Sequence, residues 1–177
     1  MKNYVVAAIG PWNKRIFKIE TKKFKDKWWY ISDPKKLETL INNKKPDKIF
    51  FIHWRWIVPE KIIRENLCVC FHMTNLPYGR GGSPLQNLIL QGHKKTKLSA
   101  FRMTMDLDAG PIYLKREMSL DGSALDIYKR ASYLAWKIIK IINSKNIKPK
   151  PQKGKIKLFK RRKLEDSIIP KLNDANK

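Results

Sequence analysis

Short apolar runs and stretches with apolar residues at helical spacing take turns along the first half of this chain. Residues 4–9 (YVVAAI) have the pattern of a buried strand, ended by Gly10-Pro11. Residues 12–24 mix lysine with Ile16, Phe17, Ile19 and Phe24 at helical intervals, and residues 28–31 predict a short second strand closed by Ser32-Asp33-Pro34. Asp33 can cap free N–H groups and Pro34 is pre-set for a first helical position, so a helix is expected from there to about Asn43. Residues 48–54 (KIFFIHW) are continuously apolar, as a strand buried on both faces must be. A short helix over 59–66, a fourth strand over 67–73 and a helix over 85–91 stopped by Gly92 come next. Residues 96–105 and 112–118 read as strands around the loop 106–111. Asp121 or Ser123 caps a long helix from about Ala124 to Asn143, with Leu125, Tyr128, Ala131, Leu134, Ala135, Ile138 and Ile142 on one stripe.

Strands that alternate with helices imply parallel pairing through crossover helices. The expected fold class is therefore α/β, a Rossmann-like, mostly parallel sheet flanked by helices. Ligands of such sheets sit at the carboxyl ends of the strands, where Gly10, Trp54, His72 and the loop 106–110 are expected to fall. Residues 1–146 are expected to form this one Rossmann-like domain. After Asn146 the composition changes to IKPKPQKGKIKLFKRRKLEDSIIP, so residues 147–177 read as a basic C-terminal extension with one strand at 156–159 and a disordered end.

Composition narrows the class. A chain of 177 residues with 42% apolar content can bury one sizeable core. No apolar run approaches the roughly 18 residues that span a bilayer, so no membrane span is expected. The N-terminus lacks a long apolar region and a small-residue cleavage site, so it reads as a first strand and the protein as cytoplasmic. The formal charge of +24 predicts attraction to polyanions such as nucleic acid, nucleotide diphosphates or polyglutamylated cofactors, unless the lysines merely write solvated faces. They are spread along the whole chain with no single basic arm, so charge alone does not make nucleic acid a partner. Cys68 and Cys70 share one face of the fourth strand, where a disulfide would strain the strand, and reduced thiols fit. With His72 they form C-x-C-x-H, but a strand spreads those three over roughly 13 Å, too far for one metal ion, so no metal is expected.

The candidate chemistry gathers at residues 71–84 (FHMTNLPYGRGGSP). One histidine stands at a strand end, and a Pro/Gly-rich loop carrying Arg80 follows. A second stretch, MDLDAGPIYLK, flanks Leu107 with Asp106 and Asp108 and turns back at Ala109-Gly110-Pro111. Its aspartates either accept backbone hydrogen bonds of their own turn or supply a carboxylate that orients His72 for proton transfer.

Taken together, H-x-T-x-L-P-x-x-R-G-x-x-P, then Gly92 and Thr96, then L-D-A-G-P-I, resemble the formyltransferase family that uses 10-formyltetrahydrofolate, the methionyl-tRNA formyltransferase-like enzymes. The matched residues are His72, Thr74, Leu76-Pro77, Arg80-Gly81, Pro84, Gly92, Thr96 and residues 107–110, and the interval from His72 to Asp108 is the family's usual one. The segment FKRRKLEDSI is similar to one that follows the catalytic domain in sugar N-formyltransferases, and the R-G-x-x-P loop matches that branch best.

The resemblance implies an N-formyltransferase with 10-formyltetrahydrofolate as donor and the amine of a nucleotide-linked amino sugar as acceptor. It implies His72 and Asp108 as catalytic residues and Trp54, Arg55, Trp56, Ile57 and Asp106 around the folate. It also implies Thr74, Arg80 and Gly81 toward the substrate, with Lys160, Arg161 and Arg162 as further candidates for a diphosphate. The family's asparagine two residues before the histidine is here Cys70, and a thiol cannot donate to an oxyanion as a carboxamide does. Losing one such donor typically costs about 10²–10³ in rate. Asn75 or another donor substitutes, or the enzyme is slow, or the scaffold binds without transferring. A Cys70–His72 nucleophilic pair is a fourth option. The late tail strand could pair between subunits, which would give a homodimer.

Overall fold

The computed structural model describes residues 1–145 and 147–167. Five strands and three helices alternate first: β1 (Asn3–Ala8), α1 (Pro11–Glu20), β2 (Lys27–Ile31), α2 (Leu37–Lys44), β3 (Lys48–Ile52), α3 (Glu60–Glu65), β4 (Cys68–His72) and β5 (Tyr78–Gly81). Then come α4 (Pro84–Leu90), β6 (Lys95–Arg102), β7 (Ile112–Ser119), α5 (Ala124–Ser144) and β8 (Lys157–Phe159). The main sheet has the order β2-β1-β3-β4-β6-β7, with parallel pairing from β2 through β4 and antiparallel pairing for β6 and β7. The mostly parallel α/β architecture expected from the alternating pattern is the one observed.

Period-two alternation along the central strands sorts the core onto two faces. Phe50, Ile52, Val69 and Phe71 pack with Ile16 of α1 and with Ile127, Ala131, Ala135 and Ile138 of α5. Val5, Ala7, Ile49, Phe51 and Cys68 pack with Leu37 and Ile41 of α2 and Ile62 of α3. Ser123 starts α5: its hydroxyl accepts from the Asp126 N–H and the Asp126 carboxylate accepts from the Ser123 N–H, which satisfies two otherwise free donors. Asp33 caps a 3₁₀ turn over Pro34–Lys36, and the α-helix itself begins only at Leu37. Residues 12–24 divide into α1 and a 3₁₀ turn, Thr21–Lys23.

Three further departures matter for the site. The Gly-rich stretch expected to be a loop forms β5, which pairs in parallel with β8 in a two-stranded sheet of its own. The tail strand is therefore used within the chain, and the expectation that it pairs between subunits loses its basis. The loop 106–110 follows the carboxyl end of β6, but β6 runs antiparallel to β4 with Val69 opposite Arg102. That places the loop's root beside the amino end of β4, not among the carboxyl ends, and the loop reaches His72 by folding back across the sheet. Gly110 permits the fold-back, since a Cβ there would run into the Arg102 carbonyl. The expected disordered end lies, from residue 168 on, outside the described residues.

Candidate active site

His72 closes β4 and is only 8% exposed. Its Nε2 lies 2.7 Å from the Gly79 carbonyl oxygen. A carbonyl only accepts, so Nε2 carries the hydrogen and Nδ1 is the nitrogen whose protonation can change. Nδ1 stands 3.8 Å from Asp108 Oδ2, a charge contact longer than a hydrogen bond. A proton on Nδ1 would complete an imidazolium held by a carbonyl on one side and a carboxylate on the other.

Asp108 is aimed by its backbone. It has φ 50, a left-handed conformation that aspartate tolerates better than most residues, and its Oδ2 accepts from the Gly81 N–H at 2.8 Å. Gly81 belongs to β5, with φ 106, and a Cβ there would strike the Phe159 carbonyl of β8. Thr74 is fully buried and its hydroxyl donates to the same Gly79 oxygen at 3.2 Å, bracing the acceptor that His72 uses.

The remaining expected residues surround this centre. Cys70 lies two residues before His72 on the face that holds Cys68, and burial first, then the Asp108 carboxylate, pushes its thiol well above the usual range. A thiol so held stays protonated at neutral pH, which works against the nucleophilic pair. Asn75 is exposed, and its Oδ1 accepts from Lys115 Nζ at 2.8 Å. Burial and the neighbouring Lys97 lower the Lys115 pKa. Asn75 also borders an open basin of about 330 Å³ whose walls include Tyr78, Lys95, Lys97 and Glu117.

Trp54 lies 4.8 Å from Trp56 in an edge-on pair, the Arg55 guanidinium lies over the Trp56 ring, and Ile57 is 95% exposed. Trp54 Nε1 is buried without a hydrogen-bond partner, the kind of orphan donor that a ligand can satisfy. An apolar, aromatic step beside an unpaired donor suits one edge of a flat, polar ring. Asp106 is exposed at the start of its turn, where its carbonyl accepts from the Ala109 N–H. Arg80 donates from Nε and Nη2 to Gln152 Oε1, at 3.1 and 2.8 Å.

Two features escaped the sequence reading. Gln152, a lone glutamine in a lysine-rich tail, sits against both site loops, and no local pattern marks it. His53, read as a residue within β3, instead leaves the strand with φ 53 and packs beside Trp12 and Tyr128. Its Nδ1 is 3.2 Å from Asn13 Nδ2, and burial pushes its pKa down to about 4. The loop composition H-W-R-W hid this because the apolar run continues through it.

No family model matches the chain. A solved methionyl-tRNA formyltransferase from Clostridium thermocellum is 39% identical, with a TM-score of 0.90 over 98% of this chain and 78% of that one. The chain belongs to the formyltransferase family of the methionyl-tRNA formyltransferase-like type. The Campylobacter lari methionyl-tRNA formyltransferase is 33% identical over 148 residues, which cover 78% of this chain and 49% of that protein. The formyltransferase PseJ from Anoxybacillus kamchatkensis, solved with UDP-4,6-dideoxy-4-formamido-L-AltNAc and tetrahydrofolate, shares the fold at TM-score 0.70 and 18% identity, over 93% of this chain and 87% of that one. The chain spans at most about half the length of the curated relatives it matches. Among the described residues no helix is long and apolar enough to cross a membrane.

Proposed function

We propose that this chain is an enzyme that moves a formyl group from 10-formyltetrahydrofolate to the amine of a nucleotide-linked amino sugar. The observation that carries the reading is His72 held between the Gly79 carbonyl and the Asp108 carboxylate, in a fold shared with a formyltransferase at TM-score 0.90. When bound, 10-formyltetrahydrofolate supplies the carbonyl carbon that the acceptor amine attacks. Trp54, Arg55, Trp56, Ile57 and Asp106 are the residues we assign to hold it, and the orphaned Trp54 Nε1 supports that assignment. HypX from Aquifex aeolicus and PseJ, both solved with a tetrahydrofolate, share this fold.

His72 Nδ1 is the atom we assign to hold the proton that the amine sheds, with Asp108 stabilising the resulting charge. Cys70 cannot provide the carboxamide donor, so Asn75 is our candidate for it. Its Oδ1 faces Lys115, which leaves the Nδ2 end to donate. Thr74, Arg80 and Gly81 shape the acceptor side. Lys95 and Lys97 in the adjoining basin give the phosphates of a nucleotide a basic wall. We place the catalytic unit in residues 1–146, with residues 147–177 as its basic extension, and the protein in the cytoplasm.

A second acceptor, methionyl-tRNA, is favoured by the names of the relatives and by the +24 charge. Mass spectrometry of a panel decides: nucleotide amino sugars, methionyl-tRNA and simple amines, each with 10-formyltetrahydrofolate. A sugar product heavier by one carbonyl supports the first reading, and a formylated methionyl-tRNA replaces it with the second. Folate binding with no product anywhere on the panel removes the enzyme reading and leaves a binding protein.

A further inference from the structure

We infer that Gln152 is a positioning residue, which holds the Asp108 loop over His72 by tying it to the Arg80 strand. Gln152 lies in the extension, far from both loops in sequence, yet its carboxamide is fully used between them. Oε1 accepts two bonds from Arg80, and Nε2 donates at 2.8 Å to both the Asp108 and the Gly110 carbonyls. Arg80 and Gly81 are neighbours in β5, and Gly81 N–H donates to the Asp108 carboxylate. The contacts close a ring: Arg80 to Gln152, Gln152 to the Asp108 backbone, and the Asp108 side chain back to Gly81. The Gly79 carbonyl that receives His72 Nε2 belongs to the same strand. Both groups that hold the imidazole therefore sit on segments that Gln152 ties together.

The segment carrying Gln152 is itself pinned at both ends. Lys150 exchanges backbone hydrogen bonds with Ile112, and β8 pairs with β5. Beyond β8, the Lys160 carbonyl accepts from Asn87 Nδ2 and the Arg162 N–H donates to Ser83 Oγ. The Asp108 loop has its root toward the amino end of β4, and it must be carried back to the histidine. A glutamine suits the task because one planar group both accepts from a guanidinium and donates to two carbonyls. Neither glutamate nor a lysine can do both.

The test separates the two halves of that group. Gln152→Glu keeps an acceptor for Arg80 but removes the donor to the Asp108 and Gly110 carbonyls. The Gly81 amide reports the Asp108 carboxylate contact directly, without any assay of activity. The Gly82 amide, which donates to the Phe159 carbonyl, reports the β5–β8 ladder. In Gln152→Glu, amide exchange at Gly81 is expected to accelerate at least tenfold while Gly82 is unchanged. Unchanged Gly81 exchange, or equal acceleration at both amides, overturns the inference. The activity arm rests on the formyl-transfer reading. There, Gln152→Glu lowers kcat about 10–100-fold with acceptor KM little changed, and adds nothing further in an Asp108→Asn background. Additive losses overturn the inference. If no activity exists to measure, the exchange arm still decides it.

Discussion

Two histidines stand side by side at the ends of neighbouring parallel strands and meet opposite surroundings. Ile52 of β3 pairs with Phe71 of β4, so His53 and His72 are the next residue on each strand. His72 continues the alternation of Cys68 and Cys70, and meets a carbonyl and a carboxylate. His53 breaks its strand's alternation with a left-handed φ and lies against Asn13 of α1 and Tyr128 of α5. Asn13 Nδ2 also donates to the Ile9 carbonyl at 2.6 Å, so it presents a hydrogen to His53 Nδ1 and leaves His53 Nε2 as a buried donor without a partner. The His72 ring faces an acceptor on each side, while burial keeps the His53 ring neutral. Identical side chains at matched positions differ in role because their neighbours differ in charge and hydrogen-bonding sense.

The contrast is broken most directly by substituting each histidine in turn. His72→Gln keeps an amide donor for the Gly79 carbonyl but removes the ring nitrogen that faces Asp108, and is expected to lower kcat by about 10²–10⁴. His53→Gln should lower it by less than about tenfold, since His53 does not face Asp108. Comparable losses in steady-state kinetics would erase the distinction. A smaller effect, with opposite sign, is expected at Cys70. Cys70→Asn places a carboxamide beside His72 and should raise kcat by about 10–100-fold, up to the lower end of what one oxyanion donor supplies. A fall in rate with an unchanged melting temperature would show that this site uses a donor elsewhere.

A separate effect, on stability and not on rate, concerns His53. His53 titrates near 6.5 when unfolded and about 4 when folded, because burial disfavours its charged form. Below pH 6.5 the unfolded chain therefore binds the extra proton first. Stability contributed by the neutral, buried imidazole is full above that pH and is lost progressively as pH falls toward 4, on the order of 3 kcal/mol in all. His53→Gln should flatten that slope in denaturant titrations at several pH values, whatever its effect on stability at pH 7. A slope unchanged by the substitution would show that His53 is not the group responsible.

Much of the fold could be read along the chain because its determinants are local. Apolar runs such as 48–54 and the Ser123 cap of α5 are set by neighbours a few residues away, and both β3 and α5 fall within a few residues of their expected places. β5 was not legible, since a Tyr-Gly-Arg-Gly sequence has no strand pattern and extends only because β8 supplies its hydrogen-bonding partner. The same holds for the loop 106–110. Its composition marks a turn, while its return across the sheet depends on the antiparallel course of β6 and on room beside Gly110.

The sequence alone established the alternating α/β order, the family resemblance, and His72 and Asp108 as a pair worth joining. Tertiary structure decided which nitrogen of His72 is free, because that depends on a carbonyl seven residues away turning inward. It also decided that Cys70 is a half-buried thiol whose pKa is pushed up, that His53 faces away, and that Gln152 bridges β5 and the Asp108 loop. Each of these depends on which groups meet across long stretches of chain, and a hydrogen bond's direction is settled only when both partners are in place.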